Sequence, residues 1–198
     1  MITKSIDDEI IFSDAPDFRP NLTPSEIFQL GAFGGGYYRE IYSNVTKKKY
    51  SKEWKEFPDS WWKGLDKSIY LESPIYDKTI NRYGVDCGAK LNKYDKFGLK
   101  FWESKDWIEP QDPYGWVQWY CRFYRGRRSP DDARQISRWK ALAGETGRFR
   151  NRLIGMCYKA NTSFDDENIS PVIRQVLLQW GYQLTRADYK KFVKSKYF

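Results

Sequence analysis

Apolar positions recur at helical spacing in the second half of this chain and lose that rhythm in the first. Ser170-Pro171 opens a run in which Val172, Ile173, Val176 and Leu177 repeat every three or four residues up to Trp180-Gly181. That is the period of an amphipathic helix with proline in its first turn. Thr185-Arg186-Ala187-Asp188 carries the cap of a further helix, running to about Ser195. Upstream, Phe149, Leu153, Met156, Cys157 and Ala160 predict a helix from Thr146 or Gly147 to about Ala160, with Arg148, Arg152 and Lys159 on its opposite face. Before it, a helix from Ser129-Pro130 to about Gly144 has Ala133, Ile136, Trp139 and Ala143 as its stripe and Arg134 and Arg138 outside it. Asp112-Pro113 predicts the start of another, ended after Arg125 by Gly126. It is apolar or aromatic nearly all round (Tyr114, Trp116, Val117, Trp119, Tyr120, Cys121, Phe123, Tyr124), as a central buried helix is.

The first half is punctuated more often. Residues 1–20 read as an extended arm with a short strand at Glu9–Phe12. Thr23-Pro24-Ser25-Glu26 holds the cap, first-turn proline and capping-box glutamate of a helix, which stops at the glycine cluster Gly31–Gly36. Tyr37–Tyr42 has strand composition, and Thr46–Tyr50 reads as a solvated turn. Short helices at Lys52–Phe57 and Pro58–Lys63 are pinned by Trp54, Trp61 and Trp62. Residues 64–98 are irregular, with a short helix near Asp77–Tyr83, and another helix lies within Lys100–Trp107. The expected fold is therefore mainly α with minor β. A single domain over 21–198 has an irregular, aromatic-rich N-terminal half and a helical C-terminal half that includes a basic subregion at 112–160.

Composition sharpens this picture. Aromatic residues make up 18% of the chain, with nine Trp and fifteen Tyr, so its low hydropathy does not mean disorder. Histidine is absent, which removes the commonest general base and metal ligand. Cys87, Cys121 and Cys157 are widely spaced with no CxxC, the usage of reduced thiols in an intracellular protein. No apolar run reaches the length of a membrane span, and the acidic N-terminus lacks the regions of a signal peptide. A soluble, cytoplasmic protein without metal or cofactor is expected.

Charge is concentrated rather than spread. The chain is +8, and residues 122–152 alone hold ten Lys/Arg against three acids, nine of the ten being Arg. Arginine offers a planar five-donor fork suited to phosphates. Arg122, Arg125, Arg127, Arg128, Arg134, Arg138, Arg148 and Arg152 are the candidate phosphate contacts. Trp116, Trp119 and Tyr124 are candidate rings for stacking on bases, as in single-stranded or flipped-out nucleic acid. A competing account has several of these arginines paired with acids from the other half of the chain. A helix-turn-helix centred on Gly147 fits at Ala143 and Leu153 but not at Thr146 and Arg148, where apolar residues are expected.

Candidate catalytic groups are Asp86, Cys87, Asp112, Cys121, Asp131 and Asp132, each with a simpler structural explanation. Asp112 reads as an N-cap and Cys121 as a small hydrophobe. The glycine cluster lacks the Gly-Lys-Ser/Thr of a phosphate loop and has no strand before it. It predicts a helix stop with close backbone packing, or else a ligand-lining loop with Arg39 supplying charge.

The runs FRPNLTPSEIFQLGAFGGGYYREI, NRYGV and DPYGWVQWYCRFYRGRRSPDDARQISRW resemble a family of uncharacterised proteins of microbial eukaryotes and large DNA viruses or phages. The resemblance covers roughly residues 18 to 184 and implies one continuous unit. It lends no mechanism, though a phage-like source is compatible with a nucleic-acid role. The expected function is nucleic-acid binding, DNA before RNA. The alternatives are a metal-free enzyme acting on a nucleotide or base, and a viral or phage host-interaction protein docking on an acidic protein.

Overall fold

The structure, a computed structural model, describes residues 2–5, 8–86 and 98–197. It is mostly helical, with two small sheets. The strands are β1 (Ile2–Lys4), β2 (Ile10–Phe12), β3 (Ile41–Ser43) and β4 (Lys48–Tyr50), paired as two antiparallel hairpins. The helices are α1 (Pro24–Gln29), α2 (Lys67–Tyr70), α3 (Leu99–Glu103), α4 (Trp116–Tyr124), α5 (Asp132–Leu142), α6 (Arg148–Lys159), α7 (Pro171–Gln179) and α8 (Arg186–Tyr197). The chain divides into two compact units, one of residues 24–131 and the other joining 1–23 to 132–198.

Rings rather than long helices build the 24–131 unit. Phe28 on α1 has Phe33, Tyr37, Tyr38 and Trp62 around it at centroid distances of 5.2 to 5.9 Å. Short 3-10 turns at Glu53–Glu56 and Asp59–Trp62 bring Trp54 and Trp62 into this core. The glycine cluster serves close packing, as one of its two sequence readings holds. Gly36 has φ +65°, and a Cβ there would lie 1.9 Å from the carbonyl oxygen of Ser73. Only a residue without a side chain tolerates both conditions.

In the other unit, the described residues of the N-terminal segment 1–23 pack with the helical part, and the strand read at Glu9–Phe12 is β2. β1 and β2 pair Ile2 with Phe12, and Ile10, Phe12 and Phe18 are buried. Phe18 stacks on Phe12 at 5.3 Å and meets Trp139 of α5 edge-on at 5.2 Å. Asn21 and Leu22 both donate their backbone N–H to the Gly181 carbonyl, and Asn21 exchanges side-chain hydrogen bonds with the Gln183 backbone. An apolar β2 strand and a ring-rich segment cannot remain in solvent when a helical core offers burial.

Several boundaries differ from the sequence reading. Tyr37 and Tyr38 lie in a turn, and the strand is Ile41–Ser43, paired with Lys48–Tyr50 from the segment expected to be a solvated turn. α4 begins at Trp116 rather than Pro113, because Gly115 sits at φ 82°, ψ −148° and breaks the helical path. In α5 the buried positions are Gln135 and Trp139, while Ala133 is exposed. In α6 the buried face is Arg150, Leu153, Ile154 and Cys157, rotated away from Met156 and Ala160.

Candidate nucleic-acid interface

The eight candidate arginines divide between the two units, and they do not share one environment. In the 24–131 unit, Arg122 and Arg127 converge on Asp112, which is 1% exposed. Arg127 meets both carboxylate oxygens, Nη1 to Oδ1 at 2.7 Å and Nη2 to Oδ2 at 2.6 Å. Arg122 Nη1 reaches Asp112 Oδ1 at 2.9 Å, while its Nε and Nη2 clasp the Glu56 carboxylate at 2.5 to 3.0 Å. Burial works against the charge on Arg122, but the Glu56 and Asp112 carboxylates outweigh it and hold the guanidinium more firmly ionised than usual. These two forks are filled by acids of their own unit, which removes them from the phosphate contacts expected from sequence. It also removes Asp112 as an N-cap or a free catalytic acid.

Arg125 and Arg128 are exposed but partly engaged. Arg125 Nη1 donates to the Glu56 carbonyl at 2.8 Å, and Arg128 donates to the Phe123 carbonyl while its guanidinium lies 3.7 Å from the centroid of the Phe123 ring. The rings expected to stack on bases are mostly spent on one another. Trp119 is 0% exposed and is excluded as a stacking platform. Trp116 stacks on Tyr120 at 5.6 Å with the planes 7° apart, and Tyr124 meets Tyr120 and Trp61 edge-on. A helix crowded with rings on every side packs them together before it offers them to a ligand.

The other unit holds the remaining four. Arg134 and Arg138 are half-buried on the flank of α5. Arg138 lies 5.6 Å from the Trp180 ring centroid and within 3.5 Å of Gln135 Oε1. Lys140, on the same helix, pairs with Asp17 at 2.7 Å.

α6 is different. The chain turns tightly into it: a Cβ on Gly147 would lie 2.6 Å from the Leu142 carbonyl, so the turn requires glycine there. Along α6, Arg148, Arg152, Gly155 and Lys159 fall at offsets 0, 4, 7 and 11, an arc of roughly 60° and a row about 16 Å long. The row lies opposite the buried Leu153, Ile154 and Cys157. Arg148, Arg152 and Lys159 are exposed, and among the described residues they take part in no ion pair. Arg148 rests near its neighbour's ring, 4.9 Å from the Phe149 centroid. No Asp or Glu occurs between Glu145 and Asp165, and Glu145 is itself paired with Lys191 at 2.8 Å.

The other chemical candidates occupy different surroundings. Cys121 is fully buried against Tyr38, whose hydroxyl is 3.6 Å from Sγ, and burial pushes its thiol up to about 12. It is a protonated core residue at neutral pH, not a nucleophile. Asp131 is buried, Asp132 opens α5, Asp86 is exposed, and Cys87 lies outside the described residues. A cleft of about 40 Å³ beside the glycine cluster is lined by Phe33, Gly35, Tyr37, Arg39, Tyr76 and Trp102 among others. Gly35 and Arg39, for which the sequence also allowed a ligand-lining role, are among its lining residues. None of the candidate acids lines that cleft.

Sequence reasoning placed the outward cations of α6 but overlooked Gly155 between them. The signal was present: the glycine continues the four- and three-residue spacing of the cations. No helix among the described residues is long and apolar enough to cross a membrane, and none of their His, Cys, Asp and Glu side chains group in threes to hold a metal ion. The chain matches no protein-family model, no curated protein and no solved structure.

Proposed function

We propose that this protein binds nucleic acid, DNA before RNA, through the outer face of α6, with Arg148 and Arg152 gripping phosphates and Lys159 in line with them. The observation that carries this reading is the α6 row itself: three exposed cations on one helix face, in no ion pair with an acid among the described residues. Apart from the contact of Arg148 with the Phe149 ring, the row makes no ion pair that would hold its own unit together among the described residues, and the like charges of Arg148 and Arg152, four residues apart, destabilise a helix slightly. A polyanion relieves that cost, and counterion release adds to the affinity. The row also lacks the aromatic and apolar centre of a protein interface, which sets phosphate ahead of an acidic protein. Arg125 and Arg128 belong to the 24–131 unit and are not counted in this row, and Arg134 and Arg138 are secondary because they lean on their own surroundings. Binding of this kind needs no cofactor, and the free, buried Cys121 and Cys157 suit the reducing interior of a cell.

The test is fluorescence anisotropy with a labelled duplex of about 20 base pairs. Three phosphate contacts predict a loss of about 40-fold in affinity between about 50 and 200 mM salt. Absence of binding to DNA or RNA at the lower salt ends the proposal. A partner captured from extract that survives nuclease treatment replaces nucleic acid with protein.

A further inference from the structure

We propose that Gly155 is the point at which the sugar–phosphate backbone of duplex DNA comes closest to α6, so that the helix lies across the backbone rather than offering stacking rings to single strands. This rests on the nucleic-acid reading above and assigns the mode and the strand type. Gly155 sits in the interior of a 12-residue helix, where glycine is the worst-tolerated residue after proline. At Gly31, Gly34, Gly35 and Gly36, positive φ and close approaches of 1.9 to 2.5 Å explain the glycine; at Gly155 a Cβ would meet nothing within 4 Å. The fold therefore gives no reason for a glycine there.

Its position does give one. Gly155 lies in the cationic row, between Arg152 and Lys159, on the arc farthest from the buried face. A missing side chain leaves bare helix backbone flanked by positive charge. That surface lets a phosphodiester chain lie against the helix while the longer side chains reach around it to the phosphate oxygens. The row itself presents no ring, whereas sequence-tolerant single-strand binding relies on rings as stacking platforms. A straight, rigid array about 16 Å long matches a partner whose phosphates hold fixed positions, which a duplex provides and a flexible strand does not.

The experiment compares the wild-type chain with Gly155→Ala and Gly155→Gln, each measured for thermal unfolding and for binding to a labelled 20-base-pair DNA duplex and to one of its strands. Both variants put a better helix former into open space, so their unfolding midpoints stay level or rise by about 2–4 °C. Duplex affinity falls by about tenfold in Gly155→Gln and less in Gly155→Ala. The salt dependence does not change, because no charge is removed. Wild-type protein that binds duplex DNA with an affinity Gly155→Gln retains overturns this inference and leaves the nucleic-acid reading standing. Tighter binding of the single strand than of the duplex also overturns it. A wild-type chain that binds neither overturns both.

Discussion

Arg150 and Arg152 stand two residues apart on α6 and face opposite ways: Arg150 is 6% exposed and pairs with Asp188 of α8, whereas Arg152 points outward with no ion pair among the described residues. Asp188 also accepts the Tyr182 hydroxyl at 2.6 Å, and the Arg150 guanidinium lies 5.0 Å from the Tyr182 ring centroid. One arginine holds the unit together, and the other is the one proposed to meet phosphate. Arg150→Gln is expected to cost about 3 kcal/mol of stability, because it strands a largely buried carboxylate. Arg152→Gln stays within about 0.5 kcal/mol of wild type and weakens DNA binding several-fold. Urea unfolding and anisotropy on the two variants check this crossed pattern.

Asp112 holds two guanidinium groups of the 24–131 unit. Asp112→Asn is expected to destabilise by about 3 kcal/mol, in the range of a broken buried pair. Binding to DNA by chemically intact, folded Asp112→Asn protein is expected to match wild type. A selective loss of binding without a loss of stability places this acid at a ligand site instead.

Gly36 makes a prediction about backbone. With φ +65° and the Ser73 carbonyl 1.9 Å from any added Cβ, Gly36→Ala combines strain with a clash against main chain. A loss of about 2–4 kcal/mol is expected, from mechanisms of the kind that produce the larger single-residue effects. Gly155→Ala has the opposite sign. Measured side by side by denaturant unfolding, the pair separates a glycine the fold demands from one it does not.

Alkaline pH should weaken the fold. Burial raises the Cys121 thiol from an ordinary 9.0 to about 12, and it raises the buried hydroxyls of Tyr37, Tyr38, Tyr120 and Tyr182 well above their ordinary 10.0. A raised folded-state value means the native chain keeps protons that the unfolded chain releases. The stability these groups contribute is therefore intact below about pH 9 and falls as pH climbs toward 12. Urea midpoints at pH 7.5 and 9 are expected to lie close together, with the midpoint at about pH 10.5 clearly below both. Iodoacetamide at neutral pH should leave Cys121 unmodified until the chain unfolds.

The helices of the second half were legible because an apolar period of three and four residues survives in their sequence. α6 and α7 fall where the spacing puts them, and the outward cations Arg148, Arg152 and Lys159 were correctly read. The inward face of α6 was misjudged because Arg150, a cation, occupies a buried site that periodicity alone assigns to Met156 or Ala160. α4 was extended too far upstream because Asp112-Pro113 imitates a helix start, and only the tertiary pull of Arg122 and Arg127 shows where that carboxylate is used. The short strand read at Glu9–Phe12 is β2, whereas β1, β3 and β4, of three residues each, are too short for alternation to fix their bounds. As for the interface, the excess of arginine in the sequence led only to the expectation of a polyanionic partner. Sequence could not say which guanidinium groups would be consumed by Glu56 and Asp112, since those contacts span up to 66 residues.

The most direct test of the α6 row is the slope of log affinity against log salt for a DNA duplex, measured on wild-type chain and on Arg148→Gln/Arg152→Gln. Removing two phosphate contacts should flatten the slope by about 1.8 while the unfolding midpoint holds within a few degrees. A slope identical in the two proteins, at equal stability, means that the outer face of α6 does not hold the phosphates.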